Sequence, residues 1–241
     1  MKEHKAKISS AILWFIVYLL GMPISRKLFG FVGITDRDNT IYRIVFVLIL
    51  FLYMHKKEAL SYYGIRSLKE LDSKALLYYI PFGLMAIMNL ISGVDTALSW
   101  EQILLGIVTA LCIGFIEEIL FRGFLFKALL EKGTTCAIAI SSCAFGFVHL
   151  INLTGGADIA VTLMQVVGCS AFGFACAVFI YKTKNILPCI ITHGLINATD
   201  SLVRENANIE IVLYGLWGVI SLAYGIYLLR LDKRANFART V

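Results

Sequence analysis

Two adjacent carboxylates and an arginine lie inside an apolar stretch, Cys112–Phe126 (CIGFIEEILFRGFLF): they are Glu117, Glu118 and Arg122. An ionised side chain at bilayer depth costs about 2.5–3.5 kcal/mol on insertion scales, so such residues need partners or a water-filled cavity. Helical residues four apart share a face, which lets Glu118 reach Arg122 and turns Glu117 about 100° away. We therefore predict that Glu118 and Arg122 form a buried pair and that Glu117 faces the site of a reaction. A purely structural ion pair would leave Glu117 without a role.

Two of the four histidines also fall within apolar runs. His149 lies four residues after Phe145, so the phenyl ring is expected to border the imidazole and keep it dry. His193 stands four residues before Asn197, so one helix face presents an imidazole and a carboxamide as hydrogen-bond donors. A single intramembrane histidine is more often a packing group. Two histidines, a carboxylate pair and an asparagine on three helices instead favour a shared site.

This set of residues suits the hydrolysis of a peptide bond. The reaction needs a base that activates water and donors for the negative oxygen that develops, and a desolvated glutamate is a suitable base. A serine or cysteine protease fits less well, because Ser141, Ser142 and Cys143 all precede His149 by at least six residues. The sequence also contains no GxSxG pattern.

The composition predicts an all-α, polytopic membrane protein. The 241 residues are 59% hydrophobic and 16% charged, with a mean hydropathy of +0.80, which is too apolar for a water-soluble fold of this size. The formal net charge is +6, but lysines and arginines fall in short connections between apolar runs, as topology signals do. We therefore expect the lipid bilayer as a partner and no nucleic acid. The six cysteines lack ligand-like spacing and are interpreted as packing residues.

Apolar runs predict a bundle of about eight transmembrane helices in a single membrane domain, 1–241, with a motif-bearing core at about 102–200. The predicted spans are Ile8–Ile24, Ile41–Met54, Ala75–Ser92, Gln102–Leu130, Thr134–Asn152, Ile159–Tyr181, Ile186–Ala198 and Ile211–Leu231. The second and seventh are short for a bilayer of about 30 Å, so each is expected to extend, tilt or end inside the protein. Basic residues concentrate in the connections on one side, which predicts a multi-pass protein of the cell membrane with both termini cytoplasmic.

The polar positions resemble the successive motifs of the CPBP family, also called Abi or type II CAAX prenyl endopeptidase-like intramembrane proteases. The motifs in this sequence are Glu117-Glu118-x-x-x-Arg122, Phe145-x-x-x-His149 and His193-x-x-x-Asn197. Their order and internal spacing match, and the resemblance covers about Gly106 to Asp200. The first three helices resemble the family only in hydropathy and in a loose Gly64-Ile-Arg66 element.

The resemblance implies an eight-helix membrane endopeptidase with its active site in a cavity among the motif-bearing helices. By position, Glu117 would activate the water with help from His149, while His193 and Asn197 would stabilise the oxyanion. The residues that would support the site are Glu118, Arg122 and Phe145. The substrate would be a membrane-associated protein or peptide.

The sequence leaves the metal requirement open, and no other cofactor is implied. HExxH is missing from the sequence, so a zinc site would have to collect Glu117, His149 and His193 from three helices. The same residues also suit a metal-free, glutamate-dependent mechanism. We favour the second interpretation, because Asn197 stands one helical turn from His193 and is a natural second donor.

Two other functional classes would also explain charged residues inside the membrane. A proton- or ion-coupled transporter would predict inverted repeats, whereas the charged residues here cluster in the second half of the chain. A non-catalytic bacteriocin-immunity protein would keep the fold and sequester a membrane-active peptide. Loss of a motif residue would favour that class, and every polar motif position is present.

Overall fold

The computed structural model describes residues 7–33, 39–67 and 79–231. Across these ranges the chain is all-α, as predicted, and forms a bundle of eight helices. They are α1 (Ile8–Phe31), α2 (Thr40–Lys56), α3 (Ile80–Ser92), α4 (Trp100–Lys132), α5 (Thr134–Gly155), α6 (Ile159–Thr183), α7 (Leu187–Asp200) and α8 (Ala207–Leu231). The first residues of the predicted third span, 75–78, lie outside the described residues.

Five of these helices, α1, α4, α5, α6 and α8, are long and apolar enough to cross a membrane. The helices α2 and α7 have 17 and 14 residues. At 1.5 Å per residue they reach about 26 and 21 Å, less than the hydrocarbon core of a bilayer. The prediction that the second and seventh spans are short is confirmed.

Among the described residues, most helix boundaries lie within three residues of the predicted spans, and two ends differ by four residues or more. The first span was expected to end at Ile24, but α1 continues to Phe31. Hydropathy falls at Arg26 and Lys27, whereas helical hydrogen bonds continue past these charges. The last span was expected to begin at Ile211, but α8 begins at Ala207. Asn206 explains the earlier start, because its side-chain oxygen accepts hydrogen bonds from the next turn.

Large apolar side chains cover the outer surface of the bundle. Leu13 and Leu20 of α1 are 59% and 57% exposed, and Val219 of α8 is 67% exposed. Exposed apolar surface on this scale is costly in water and is satisfied by lipid. This surface, together with the five long apolar helices, makes the chain a multi-pass membrane protein.

The short helix α7 packs against α4 with backbone touching backbone. A Cβ atom on Gly114 would stand 2.6 Å from the amide nitrogen of Gly194, so Gly114 has no room for a side chain at the crossing. A Cβ atom on Gly194 would stand 3.0 Å from Cδ2 of Leu111. On its other side, α7 is bound to α3, where Asn89 donates to the carbonyl of Ile196 at 2.8 Å. Thr199 donates in turn to the carbonyl of Ala86 at 2.7 Å. These contacts fix the rotation of α7 about its own axis.

Backbone hydrogen bonds also hold both ends of α7. At its start, the amide of Ile186 donates at 2.8 Å to the carbonyl of Gly64, in the connection that follows α2. Past its end, the carbonyl of Leu202 accepts from the amide of Asp95 at 2.9 Å. The amide of Arg204 donates to the carbonyl of Gly93 at 3.1 Å. The helix that carries His193 is therefore anchored along its whole length.

Candidate active site

The helix α4 changes its winding directly after the two glutamates. Residues Trp100–Glu118 are α-helical, and Ile119–Leu125 form a π-helical segment. Wider turns of this kind inside α-helices are rare and occur frequently at functional sites. Arg122 lies within the π segment, so the wider turn sets the position of its guanidinium relative to the carboxylate one turn before it.

Glu118 and Arg122 form the contact that their spacing predicts. Arg122 Nη1 donates to Glu118 Oε1 at 2.8 Å, and both side chains are 0% exposed. The other face of the guanidinium lies over the Phe145 ring, 4.0 Å from the ring centre. A cation–π contact stabilises a desolvated cation on a face that cannot form hydrogen bonds. The pair is therefore enclosed by protein on every side.

His193 joins the two glutamates from α7. Its Nδ1 lies 3.3 Å from Glu118 Oε1, and its Nε2 lies 3.9 Å from Glu117 Oε2. An ionised carboxylate only accepts hydrogen bonds, so Nδ1 carries a hydrogen and donates it to Glu118. A carboxylate partner on one ring nitrogen fixes the tautomer and the ring orientation. Nε2 is then the nitrogen directed towards Glu117.

Phe145 packs against every basic side chain of the motifs. Its ring centre lies 5.5 Å from that of His149 and 5.4 Å from that of His193, with edge-to-face geometry in both cases. Phe172 of α6 covers His193 from a second direction at 5.7 Å. The predicted contact between Phe145 and an imidazole is present. It extends to His193 and Arg122, which the sequence spacing did not indicate.

Glu117 faces a cavity instead of the protein interior. The cavity has a volume of about 760 Å³, and its lining includes all four residues expected to react. Those residues are Glu117, His149, His193 and Asn197. The Glu117 side chain is 18% exposed, yet its Oε2 is buried and accepts no hydrogen bond from the described residues. The exposed part of this side chain lines the cavity, where it can contact water or a ligand.

His149 reaches the cavity from the last turns of α5, where the winding tightens to a 3₁₀-helix over Val148–Gly155. Its Nδ1 lies 2.9 Å from the carbonyl of Phe145 and therefore donates to it. Its Nε2 lies 3.7 Å from the Cys169 sulfur of α6. Both ring nitrogens of His149 thus have neighbours other than Glu117. His149 and Glu117 nevertheless line the same cavity.

Asn197 lies one turn beyond His193 on α7, as the spacing predicts, and its side chain is half-buried. It lines the main cavity together with Glu117. It also borders a small adjoining cavity of about 60 Å³, whose lining includes Cys169. The structure thus brings the residues of all three motifs to one place.

The three residues proposed for zinc do not form a compact ligand set. Zinc lies about 2.0–2.2 Å from its ligand atoms, so those atoms must approach one another closely. Within the part of the chain that the structure describes, the one triad of ligand atoms lying within 4.8 Å of one another is Glu118, Cys176 and Cys189. Its carboxylate is paired with Arg122, which opposes a further cation. The arrangement of Glu117, His149 and His193 does not fit a zinc ion.

Sequence reasoning missed three features of the site: the π segment, the contact of His193 with Glu118, and Cys169 beside His149. Gly114 and Gly194 could have indicated the second feature. They stand three residues before Glu117 and one after His193, and small residues at such positions favour close helix packing. Cys169 gave no signal beyond its place in an apolar run.

Residues 99–199 match the family model for type II CAAX prenyl endopeptidase Rce1-like proteins. The match contains all three motifs and nearly coincides with the predicted motif-bearing core. No curated protein and no solved structure matches the chain significantly. The resemblance inferred from the motifs is confirmed.

Proposed function

We propose that this chain is an intramembrane endopeptidase of the CPBP, or type II CAAX prenyl endopeptidase-like, kind, in which Glu117 activates a water molecule that hydrolyses a peptide bond. The match of residues 99–199 to the family model supports this proposal. The substrate is a membrane-associated protein or peptide that enters the cavity beside α4. The main support is that Glu117, with 18% of its side chain exposed, lines a cavity of about 760 Å³ together with His149, His193 and Asn197.

The reaction begins with a water molecule that donates a hydrogen bond to Glu117. As the water oxygen adds to the substrate carbonyl, its proton passes to the carboxylate. The carbonyl oxygen becomes an oxyanion. Glu117 then transfers the proton to the leaving nitrogen, the carbon–nitrogen bond breaks, and a carboxylic acid and an amine are released. The carboxylate returns to its starting state without a covalent intermediate.

Asn197 and His193 supply hydrogen bonds to the oxyanion. Both line the cavity that Glu117 borders. Asn197 provides an amide N–H, and His193 provides an Nε2–H when its ring carries a hydrogen on both nitrogens. The Nδ1–H of His193 donates to Glu118, so the ring is oriented before substrate binds. Because these donors are held by the fold, little reorganisation is needed as negative charge develops.

Glu118, Arg122 and Phe145 support the site without reacting. The guanidinium neutralises Glu118 at 2.8 Å, and the carboxylate orients His193. Phe145 covers both the guanidinium and the two imidazoles, which excludes water from that side. His149 assists Glu117 from across the cavity and is held in place by the carbonyl of Phe145.

The test is product formation by purified protein on a library of membrane-inserting peptides, read by mass spectrometry. We expect cleavage by the wild type and none by Glu117→Ala. Glu101→Ala is the matched control, since Glu101 lies on the same helix and does not line the cavity. Intact peptides with both the wild type and the control would overturn the proposal. Equal cleavage by Glu117→Ala would overturn the role of Glu117.

We also propose that the protein lies in the cell membrane with both termini cytoplasmic. Positive charge on the connections that share a side with the termini supports this orientation. A cysteine introduced at Lys56 should then be labelled from the cytoplasmic side and one at Arg204 from the opposite side. The reverse labelling pattern would contradict it.

A further inference from the structure

The cavity that contains Glu117 extends to a second group of charged residues on α1 and α2. Arg26, near the end of α1, and Arg43, in the first turn of α2, both line it. Among the described lining residues that α1 and α2 contribute, these two carry the formal charges, and both are cationic. The catalytic residues come from α4, α5 and α7, so the arginines belong to a different pair of helices that lines the same cavity.

The fold holds both arginine side chains. Asn39 is buried, and in the orientation that satisfies its amide it donates to the carbonyl of Met22 at 2.9 Å and accepts from Arg26 Nη2 at 3.0 Å. Arg43 Nη2 lies 3.9 Å from the Met22 sulfur. Arg26 and Arg43 are thus both positioned around Met22 at the junction of α1 and α2. The guanidinium groups keep several donors in a planar array.

The position of these arginines is not explained by membrane topology. Arg43 lies inside the second predicted span, where a charge is costly unless it faces protein or water. Basic residues are also depleted in connections on the side away from the cytoplasm, which is where the proposed orientation places Arg26. Both guanidinium groups line the cavity, so they border a space that water or a ligand can occupy while they keep their contacts with the protein, such as that of Arg43 with Tyr18.

Arg43 is close enough to Glu117 for one peptide to reach both. Thr40 and Thr109 share a hydrogen bond of 2.6 Å, so these two residues lie at the same height along the bundle axis. Glu117 lies eight residues beyond Thr109, about 12 Å along the axis, and Arg43 lies three residues beyond Thr40, about 4.5 Å in the same direction. The two backbone positions are thus offset by about 7.5 Å along the bundle axis and line one cavity, and a few extended peptide residues span such an offset.

We infer that Arg26 and Arg43 form a subsite that binds a carboxylate of the peptide substrate. A guanidinium matches the two oxygens of a carboxylate with parallel hydrogen bonds, which gives strong and directional recognition. The carboxylate comes either from the chain terminus or from an acidic side chain near the scissile bond. The inference rests on the proposed function, because it assigns the substrate to the cavity beside Glu117.

Binding is the appropriate measurement, because it can be read without turnover. The protein carries Glu117→Gln, which leaves the cavity its shape and removes the base. The probes are three dye-labelled peptides of alternating alanine and leucine. One has a free terminal carboxylate, one has a terminal amide, and one has the amide together with a single glutamate. Fluorescence anisotropy in detergent micelles gives the Kd of each.

We expect Arg43→Gln and Arg26→Gln, each in the Glu117→Gln background, to raise the Kd of a carboxylate-bearing peptide about tenfold or more. The Kd of the neutral peptide should not change. The peptide that loses the most affinity identifies the source of the carboxylate. Lys27→Gln is the matched control, since it removes one positive charge beside Arg26 and does not line the cavity. Arg43→Lys keeps the positive charge and should therefore retain part of the affinity. This variant distinguishes the loss of the charge from misfolding of the protein.

Several results would overturn the inference: equal losses for the neutral peptide, equal losses with Lys27→Gln, or no binding of any peptide. Displacement of peptide by phosphatidylglycerol, with no preference among the three peptides, would assign the arginines to lipid headgroups and also overturn it. Because the assay uses a variant without the base, none of these results depends on whether the wild type cleaves peptides. A failure of the proposed function therefore stays distinguishable from a failure of the subsite.

Discussion

Glu117 and Glu118 are neighbours in the chain and have opposite surroundings. Glu118 is 0% exposed and has Arg122 and His193 as partners. Glu117 is 18% exposed and lines the cavity, which Glu118 does not. One oxygen of each carboxylate lacks a hydrogen bond among the described residues, so the cavity distinguishes the two glutamates. A rotation of about 100° per residue is enough to place one carboxylate in the packed interior and the other in a reaction space. Adjacent identical residues can thus serve stability and chemistry separately.

The helices beside Glu118 are packed more tightly than the helix that bounds the cavity beside Glu117. On the side of Glu118, α4 and α7 meet with their backbones in contact at Gly114 and Gly194. On the side of Glu117, the cavity is bounded by α1, of which only Ala11 and Tyr18 are buried among its 24 residues. A tightly packed wall keeps catalytic groups in place, whereas a thinly packed wall can yield to a substrate. The predictions below test this division.

The largest effect is expected from Glu118→Ala. The substitution leaves Arg122 buried at 0% exposure without its carboxylate, and breaking comparable buried pairs costs about 3–5 kcal/mol. We expect a large loss of folded protein, measured by thermal unfolding in detergent. Glu101→Ala, at an exposed position of the same helix, should unfold like the wild type. Normal stability of Glu118→Ala would contradict the structural role of the pair.

Asn197→Ala should have the next largest effect, and it acts on turnover. Loss of one oxyanion donor lowers kcat about 10²–10³-fold with little change in KM. In a metal-free mechanism the wild type should also keep its activity after chelation, and added zinc should not rescue the variant. Stoichiometric zinc by elemental analysis, with activity lost on chelation and restored by zinc, would overturn the metal-free assignment.

Cys169→Ala should have the smallest effect. The thiol lies 3.7 Å from Nε2 of His149, so its removal takes away one weak contact of a ring that the Phe145 carbonyl still holds. We expect kcat to fall no more than about tenfold, as for one ordinary hydrogen bond. Cys169→Ser should restore it, and Cys143→Ala at an exposed position should have no effect. Equal losses with Cys169→Ser and Cys169→Ala would contradict the contact.

The sequence predicted the helices well because the thickness of the bilayer dictates the length of apolar runs. The starts of α5 and α6, at Thr134 and Ile159, agree with the predicted spans. The errors at Phe31 and Ala207 arise where helices leave the apolar region. Capping and backbone hydrogen bonds, and not hydropathy, determine where such ends lie.

The candidate site was predictable within each helix and less so between helices. Spacing along one helix correctly paired Glu118 with Arg122, because residues four apart lie near one another on the same side of a helix. The approach of His193 to Glu118 depends on how closely α7 crosses α4, which the two glycines determine only in the folded bundle. The π segment, Ile119–Leu125, likewise has no signature in residue spacing.

The most direct test of the account is Glu117→Gln, with turnover and stability measured on the same preparation. Glutamine keeps the shape of the side chain and cannot take a proton from water. We predict that kcat falls about 10²–10⁴-fold, the usual contribution of a general base, while the unfolding temperature stays at the wild-type value. Wild-type turnover by Glu117→Gln would contradict the assignment of Glu117 as the base.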